Sequence, residues 1–289
     1  NSNHAGIFEA VKRGYFEEEG IKVKVYTPSD PSTVLQTVGA GRDDFGISYQ
    51  PDLLQARSEG VPVVSVAGIV QHPLNSVMTL KTSGIERPGQ LRGKKVGYPG
   101  IASNKGMLES MLLADGISIA NVELVDVGFD LVPALLGGKV DAIVGAYWTH
   151  ESILMELQGY PVNIMRMEKW GVPDFYELIL VTNEETLSKK KDLVRRFVNA
   201  FSKGFETAIQ DPQGSVTTLL EANREVVQED LERKGVALLK PLWREGAAPF
   251  GSQDPQRWAS FTEWMKTRGL VKPDLVAASA FTNEFIGSQ

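Results

Sequence analysis

Aromatic, carboxamide and carboxylate side chains gather where predicted strands end in this sequence. They are Tyr49, Gln50, Asn75, Tyr98, Asn104, Tyr147, Tyr176 and Glu177. Aromatic faces can stack on a flat ring, and amides with a carboxylate can bond its nitrogens and amino groups in a site closed to water. Each tyrosine taken singly is more often a core residue with its hydroxyl at the rim. Their shared position at strand ends favours a binding site for a heteroaromatic molecule.

Glu177 is the candidate whose chemistry most strongly requires a binding partner. It precedes the apolar run 178–181, which is typical of a buried strand, so an ionised carboxylate there needs a partner. That partner is either an arginine of the protein or a donor face of the ligand. Ser103 and Asn104 open a predicted helix, where free backbone N–H groups either bond a ligand oxygen or are only capped.

Residue patterns for catalysis or metal binding are missing from the sequence. The chain has no cysteine, and the spacing of His4, His72 and His150 matches no known ligand motif. Neither a nucleophile elbow nor a phosphate-binding glycine loop occurs. We therefore expect no catalytic residue, no metal and no cofactor. An enzyme would need a lysine or histidine facing the ligand, for which His4 and His150 are the candidates.

The composition is that of an ordinary globular protein with two lobes. The chain has 289 residues, of which 42% are apolar and 23% charged, and this length usually exceeds a single core. A formal net charge of -6 argues against nucleic acid or an anionic membrane surface as a partner. The basic run 189–191 is typical of a solvated helix face.

One phrase occurs twice and indicates how the candidate side chains are positioned. Residues 41–49 and 138–147 each read as glycine, a basic residue, an aspartate and a short apolar strand that ends in a tyrosine. Each copy follows an apolar helical stretch, as in a βαβ unit. Open α/β sheets bind ligands at the carboxyl ends of their strands. The repeat therefore predicts two lobes that each carry an aromatic side chain at one cleft.

The alternation of helical and strand patterns predicts an α/β fold with a discontinuous first lobe. Alternating Ile21, Val23 and Val25 predict a strand after the first helix. The register changes near residue 82, where a second lobe begins. We expect lobe 1 to comprise residues 1–81 and 182–289, and lobe 2 residues 82–181.

Several segments closely resemble the solute-binding proteins of ABC transporters. The similarity is to the branch that shares its fold with the fungal thiamin-pyrimidine synthase, and most of all to the ThiY-type binding proteins for formylaminopyrimidine. The motifs Tyr-Gln-Pro-Asp (49–52) and Phe-Tyr-Glu-Leu (175–178) are more specific to this branch, whereas Gly-Lys-Lys-Val-Gly (93–97) is common to many solute-binding proteins. The resembling segments are 12–21, 49–52, 60–66, 91–100 and 171–178.

This resemblance implies a type II periplasmic-binding-protein fold, two βαβ lobes with a ligand cleft between them. It implies capture of a thiamin pyrimidine precursor by cleft closure, a membrane permease as partner, an extracytoplasmic location, either periplasmic or lipid-anchored, and a monomer. It adds Asn1, His4 and Gly100 to the expected ligand-binding residues. Such proteins begin with a strand and an aromatic before the segment matching 1–4, so we expect such residues upstream of Asn1.

The same resemblance argues against a synthase. That enzyme places a cofactor-binding lysine and, four residues later, a reactive histidine after its glycine-rich phrase, where this chain has Ser48 and Asp52. The synthase also carries a cysteine-rich motif. The alternatives that remain are a binding protein for another heteroaromatic such as riboflavin, a binder of a sulfonate or nitrate-type anion, and, as the weakest alternative, a synthase-like enzyme.

Overall fold

A computed structural model of the chain describes residues 1–28, 30–225 and 227–287. Its strands are β1 (Gly46–Ser48), β2 (Val63–Val70), β3 (Asn75–Leu80), β4 (Lys95–Tyr98), β5 (Glu123–Asp126), β6 (Ala142–Tyr147), β7 (Val162–Arg166) and β8 (Leu178–Asn183). The last residues of the predicted first lobe, 288 and 289, lie outside the described ranges.

Helices surround these strands. They are α1 (Ala5–Lys12), α2 (Tyr15–Glu18), α3 (Val34–Gly39), α4 (Gln50–Ser58), α5 (Ala102–Ala114), α6 (Leu131–Leu136), α7 (Glu151–Leu157), α8 (Glu184–Lys189), α9 (Lys191–Gln210), α10 (Pro212–Ala222), α11 (Glu229–Leu239) and α12 (Pro255–Thr267). Short 3-10 helices include Ser2–His4, directly before α1, and Ala277–Ser279. Within the described ranges, every helix is too short or too polar to cross a lipid bilayer.

The chain divides into two compact units. The first comprises Asn1–His72 and Phe175–Gln289, and the second comprises Pro73–Asp174. Both passages between the units fall earlier than the predicted boundaries at residues 81 and 181. The reason is strand pairing, because β3 pairs with β6 and β7 in the second unit, whereas β8 pairs with β1 and β2 in the first.

The first unit is built on a three-stranded sheet in the order β1-β8-β2, with β8 antiparallel to both neighbours. All eight residues of β2 are buried, as the apolar run in the sequence predicts. Helix α9 carries buried Phe197, Phe201 and Phe205 at helical spacing and packs against α1. The two helices approach closely where Gly204 meets Gly6, since a methyl group on Gly204 would lie 2.1 Å from the Gly6 carbonyl oxygen.

The second unit is built on a five-stranded sheet in the order β5-β4-β6-β3-β7. Strand β4 is parallel to β5 and β6, and β3 is antiparallel to β6 and β7. Buried side chains of β3 and β6 pack against α6 and α7 in one apolar cluster, which includes Met78, Leu131, Leu135, Ile143 and Met155. The cluster anchors the strands whose ends carry the predicted site residues.

Both copies of the repeated phrase form the predicted helix, turn and strand. The first runs from α3 through Gly41 into β1, and the second from α6 through Gly138 into β6. Gly41 and Gly138 have φ values of 67° and 68°, which glycine adopts without strain. The prediction of a strand at residues 21–25 is wrong. Residues 21–28 form neither helix nor strand, and Val25 and Tyr26 are exposed, so no buried face rewards pairing there.

Candidate functional site

Gln50 lies at the start of α4, two residues after the end of β1, and is completely buried in the first unit. Its side-chain Oε1 accepts a hydrogen bond from the backbone N–H of Tyr176 at 2.8 Å. Its backbone N–H donates in turn to the Tyr176 carbonyl at 3.4 Å. The side-chain Nε2 has no hydrogen-bond partner among the described residues. One half of this carboxamide is therefore fixed by protein and the other half is a buried donor without an acceptor.

Tyr176 itself lies inside the first unit. Its side chain is 1% exposed, and its hydroxyl accepts a hydrogen bond from the backbone N–H of Asp254 at 2.6 Å. The ring stacks near Trp258, with centroids 6.0 Å apart, and the Arg257 guanidinium lies 4.8 Å from its centroid. Burial raises the pKa of the Tyr176 hydroxyl. The side chain of Tyr176 therefore packs in the interior, while its backbone N–H and carbonyl form hydrogen bonds with Gln50.

Tyr49 and Glu177 flank these two residues along the chain. Tyr49 is half-buried and precedes α4 in an extended conformation, with φ -115° and ψ 144°. Glu177 is 3% exposed, and its backbone N–H donates to the Val70 carbonyl at 3.0 Å. The predicted site residues of this region, namely Tyr49, Gln50, Tyr176 and Glu177, are therefore brought together at the adjoining ends of β1, β2 and β8.

Asn75 and Asn104 form the corresponding arrangement in the second unit. Asn75 begins β3, Asn104 lies in the first turn of α5, and the two are 6% and 4% exposed. Asn75 Oδ1 accepts a hydrogen bond from the backbone N–H of Gly145 at 3.0 Å. Asn75 Nδ2 donates to Asn104 Oδ1. A backbone donor in β6 thus orients the first carboxamide, which orients the second.

Gly145 can supply this donor because the ladder between β3 and β6 is interrupted beside it. Ser76 pairs with Ala146 and Val77 with Val144, which leaves Gly145 as an extra residue in a β-bulge. Its φ is 97°, and a methyl group there would lie 2.9 Å from Pro99 Cδ. The sequence analysis missed this residue, although a lone glycine inside an apolar strand is the known signal for a bulge.

The remaining predicted residues of the second unit lie at the ends of β4 and β6 or in the loop after β4. Tyr98 ends β4 and is half-buried, and Gly100 follows it, exposed and with a φ of 75°. Tyr147 ends β6 next to Asn75 in the ladder, and its backbone N–H donates to Glu151 Oε2 at 2.7 Å. His150, one of the two histidines considered for enzymatic chemistry, has its Nδ1 2.9 Å from Glu151 Oε1.

The segment Asn1 to His4 is held in the first unit by a distant carboxylate. The Ser2 backbone N–H donates to Glu232 Oε2 at 2.5 Å, and Glu232 on α11 is 1% exposed. Asn1 Oδ1 accepts from the Asn3 backbone N–H at 3.3 Å. Burial lowers the pKa of His4 to about 3, and the negative charge of Glu232 opposes this shift. His4 is therefore neutral at physiological pH. No sequence signal marks Glu232.

The first unit also has a surface groove of about 440 Å³ away from these residues. It lies between the end of α4 at Arg57 and the loop 272–279, and lysine, arginine, aspartate and glutamate side chains all line it. Among the residues that the structure describes, no cluster of three or more histidine, aspartate or glutamate side chains is suited to a metal ion.

Comparison with known proteins places the fold and the family. Residues 1–215 match the family model described as NMT1/THI5 like. The chain is 34% identical over 287 residues to the formylaminopyrimidine-binding protein of Halalkalibacterium halodurans, with 98% of this chain and 87% of that protein covered. It is 29% identical over 296 residues to a 4-amino-5-hydroxymethyl-2-methylpyrimidine phosphate synthase of Saccharomyces cerevisiae, with 98% and 84% covered.

A similar solved structure is the alkanesulfonate-binding protein SsuA from Xanthomonas axonopodis pv. citri bound to MOPS. The TM-score is 0.77 at 15% identity, and 97% of this chain and 95% of that chain are covered. At this identity the similarity shows the fold alone. The predicted type II periplasmic-binding-protein fold is thereby confirmed.

Proposed function

The chain belongs to the NMT1/THI5-like family, and we propose that it is the solute-binding component of an ABC importer that captures a formylaminopyrimidine-like precursor of thiamin. The observation that carries the proposal is similarity along nearly the whole chain to a relative named for binding formylaminopyrimidine. The buried carboxamides of Gln50, Asn75 and Asn104 support it, since each is of the type that bonds a nitrogen heterocycle. Closure of the predicted cleft stays a prediction.

The family includes named binding proteins and named synthases, and we place this chain with the former. Ser48 and Asp52 support that choice. Ser48 is buried at the end of β1 and Asp52 lies in the first turn of α4, so the two positions hold neither a lysine amine nor an imidazole. Their oxygens can accept or donate hydrogen bonds but cannot form a Schiff base. Binding without chemistry is the function that these residues support.

The partners follow from the same proposal. A solute-binding component delivers its ligand to a membrane permease, so we propose a permease as partner and an extracytoplasmic location, either periplasmic or lipid-anchored. We also propose that the chain acts as a monomer without a cofactor. The formal charge of -6 is in keeping with a partner other than nucleic acid.

Two measurements test the proposed function. Mass spectrometry of protein purified without added ligand identifies any solute that it carries, and we expect a formylaminopyrimidine. Titration calorimetry then compares formylaminopyrimidine, thiamin, riboflavin, an alkanesulfonate and nitrate. Tight binding of formylaminopyrimidine with weaker binding of the others supports the proposal. Preference for riboflavin or for an anion overturns it in favour of the corresponding alternative, and turnover of a bound pyrimidine by the purified protein overturns the assignment to the binding proteins.

A further inference from the structure

The two segments that connect the units leave the first unit at one end of its sheet. Strand β2 ends at Val70 and β8 begins at Leu178, and these two residues pair with each other. The outgoing segment continues from β2 through Gln71, and the returning segment enters β8 through Tyr176. Since the two segments lie side by side at this sheet end, a single side chain of the first unit can contact both.

Arg257, the third residue of α12, is such a side chain. It is 10% exposed, and its Nη1 donates a hydrogen bond to the Gln71 carbonyl at 2.7 Å. The centre of its guanidinium lies 4.8 Å from the centroid of the Tyr176 ring. Nη2 donates to the Glu245 carboxylate at 2.8 Å. A planar guanidinium can make all three contacts at once, so Arg257 holds the outgoing segment by its backbone and the returning segment by a ring.

Neighbouring hydrogen bonds fix the same two points in the first unit. The Gln71 backbone N–H donates to the Leu242 carbonyl at 2.7 Å. The Tyr176 hydroxyl accepts from the backbone N–H of Asp254, the residue that caps α12, and the Tyr176 backbone N–H donates to Gln50. The first turn of α12 therefore contacts the returning segment twice, and this segment bonds a predicted solute-binding residue.

The second unit binds the outgoing segment only two residues after Gln71. Trp148 Nε1 donates to the Pro73 carbonyl at 3.0 Å, and the Trp148 backbone N–H donates to the Leu74 carbonyl at 3.0 Å. His72 therefore lies between a carbonyl that is bonded within the first unit and a carbonyl that is bonded within the second.

The returning segment has a similarly short stretch between its two anchored parts. Val172 of the second unit is 2% exposed. Phe175 of the first unit is 1% exposed, and its ring centroid lies 4.9 Å from that of Phe261 on α12. Residues 173 and 174 lie between these two buried side chains. Hinges of two-unit proteins are a few such residues that absorb the change in backbone angles.

We infer that Arg257 is a positioning residue for solute capture, which fixes both connecting segments in the first unit and confines movement of the second unit to His72 and residues 173–174. The inference rests on the proposed function and adds the residue that prepares the chain for closure. Without the guanidinium, Gln71 and Tyr176 lose a shared contact, and the ligand-free chain populates more orientations of the two units. Affinity for the solute then falls with the fraction of molecules that can close.

Distances between spin labels test this role in the ligand-free protein. The chain has no cysteine, so Ser188→Cys on α8 and Glu156→Cys on α7 place one label on an exposed helical position of each unit. Pulsed electron paramagnetic resonance measures the distribution of distances between the labels. We expect Arg257→Met to broaden this distribution. A distribution as narrow as that of the wild type in folded Arg257→Met protein overturns the inference.

Arg196→Met is the matched control. Arg196 on α9 of the same unit also joins a carboxylate to a backbone carbonyl, since Nε lies 2.9 Å from Asp192 Oδ2 and Nη1 lies 2.5 Å from the Glu19 carbonyl oxygen. Neither partner belongs to a connecting segment. The control should lose comparable contacts and keep the wild-type distribution. Equal broadening in the two variants would overturn the inference, because the position of the arginine would then have no consequence.

Arg257→Lys keeps the test decisive if Arg257→Met does not fold. Lysine retains a positive charge beside Glu245, but its single ammonium cannot reproduce the contacts with the Gln71 carbonyl and the Tyr176 ring together. We therefore expect a broadened distribution in this variant as well. The wild-type distribution in Arg257→Lys would show that charge alone is sufficient and would overturn the inference.

Calorimetry connects the positioning role to solute capture and separates it from the proposed function. The dissociation constant for formylaminopyrimidine should rise about 10-fold in Arg257→Met and stay within about twofold of the wild-type value in Arg196→Met. An unchanged dissociation constant in Arg257→Met would overturn the role in capture. If formylaminopyrimidine does not bind the wild type, the proposed function is wrong, and the label distances, which are measured without solute, still decide whether Arg257 positions the connecting segments.

Discussion

The two units each orient a buried carboxamide with a backbone N–H, but they leave the carboxamides in different states. In the first unit, Tyr176 N–H fixes Gln50, and the far end of Gln50 has no partner among the described residues. In the second unit, Gly145 N–H fixes Asn75, and the far end of Asn75 donates to Asn104. The series of hydrogen bonds ends at Gln50 in the first unit, whereas in the second unit it continues from Asn75 to Asn104.

The difference shows how a fold assigns donor and acceptor ends to side chains that could point either way. A backbone N–H can only donate, so the amide that it meets must present its oxygen, and the NH2 end is then directed away. A second carboxamide that accepts a hydrogen bond from the first must also do so through its oxygen. Asn104 therefore presents its oxygen to its donor as Gln50 does, although the donor is Asn75 Nδ2 and not a backbone N–H. In both units a backbone N–H therefore determines the direction of the carboxamide NH2 groups.

The largest effect is expected when the backbone donor of the second unit is disturbed. Gly145→Ala places a methyl group 2.9 Å from Pro99 Cδ on a backbone with a φ of 97°. Strain and overpacking together should lower the free energy of unfolding by about 4 kcal/mol. Urea denaturation measures this change.

Gly138→Ala is the control for Gly145→Ala. Gly138 has a φ of 68°, and nothing lies within 4 Å of an added methyl group, so only backbone strain of about 1 kcal/mol is expected. Equal losses in the two variants would show that the contact with Pro99 has no energetic consequence.

The second prediction compares the two carboxamides directly. Asn75→Leu leaves the Gly145 N–H and Asn104 Oδ1 without their partner, so we expect a loss of about 3 kcal/mol in the free energy of unfolding. Gln50→Met strands the Tyr176 N–H but also removes an unmet donor, so the net loss should be about 1 kcal/mol. Ligand-free urea denaturation of both variants measures these values, and a larger loss for Gln50→Met would contradict the difference between the units.

The third prediction separates the two roles of Tyr176. Tyr176→Phe removes the hydroxyl that accepts from the Asp254 N–H at 2.6 Å but keeps the backbone N–H that orients Gln50. We expect a loss of about 1.5 kcal/mol on urea denaturation, because the Asp254 N–H loses its acceptor. The NH2 resonances of Gln50 in the ligand-free variant should keep their wild-type positions. A shift of those resonances would show that the ring, not the backbone, orients the amide.

The smallest expected effect is a loss of stability at acidic pH, which His4 causes because, unlike the carboxamides, it titrates. Since the pKa of His4 is lowered from 6.5 to about 3, the unfolded chain binds a proton in this range that the folded chain does not. The contribution of His4 to stability is therefore level above about pH 6.5 and decreases as the pH drops from 6.5 toward 3. At pH 5.5 the His4 contribution should be a loss of about 1 kcal/mol.

His4→Gln tests the acid prediction, since glutamine does not titrate. Its free energy of unfolding should vary less between pH 7 and 5.5 than that of the wild type. Parallel pH profiles for the two proteins would exclude His4 as the source of acid sensitivity.

Part of the candidate site was predictable because the signals are local. The turns at Gly41 and Gly138, the strands that follow them and the start of α4 at Gln50 all depend on neighbours within a few residues. Tyr49 and Gln50 therefore fall at a strand end, as predicted. The strand expected at residues 21–25 shows the limit of such signals, because alternation predicts a strand only where a neighbouring strand and a buried face exist.

The sequence by itself determined the family, the α/β pattern, the repeated helix-turn-strand phrase and the types of side chain at the strand ends. Only the tertiary structure decided that Tyr176 is interior, that the passages between units precede residues 81 and 181, and that Gly145 orients Asn75. The physical reason is range. Turns and helix starts are set by residues adjacent in the chain, whereas the direction of a buried amide is set by a distant backbone donor. That donor is 70 residues away for Asn75 and 126 residues away for Gln50.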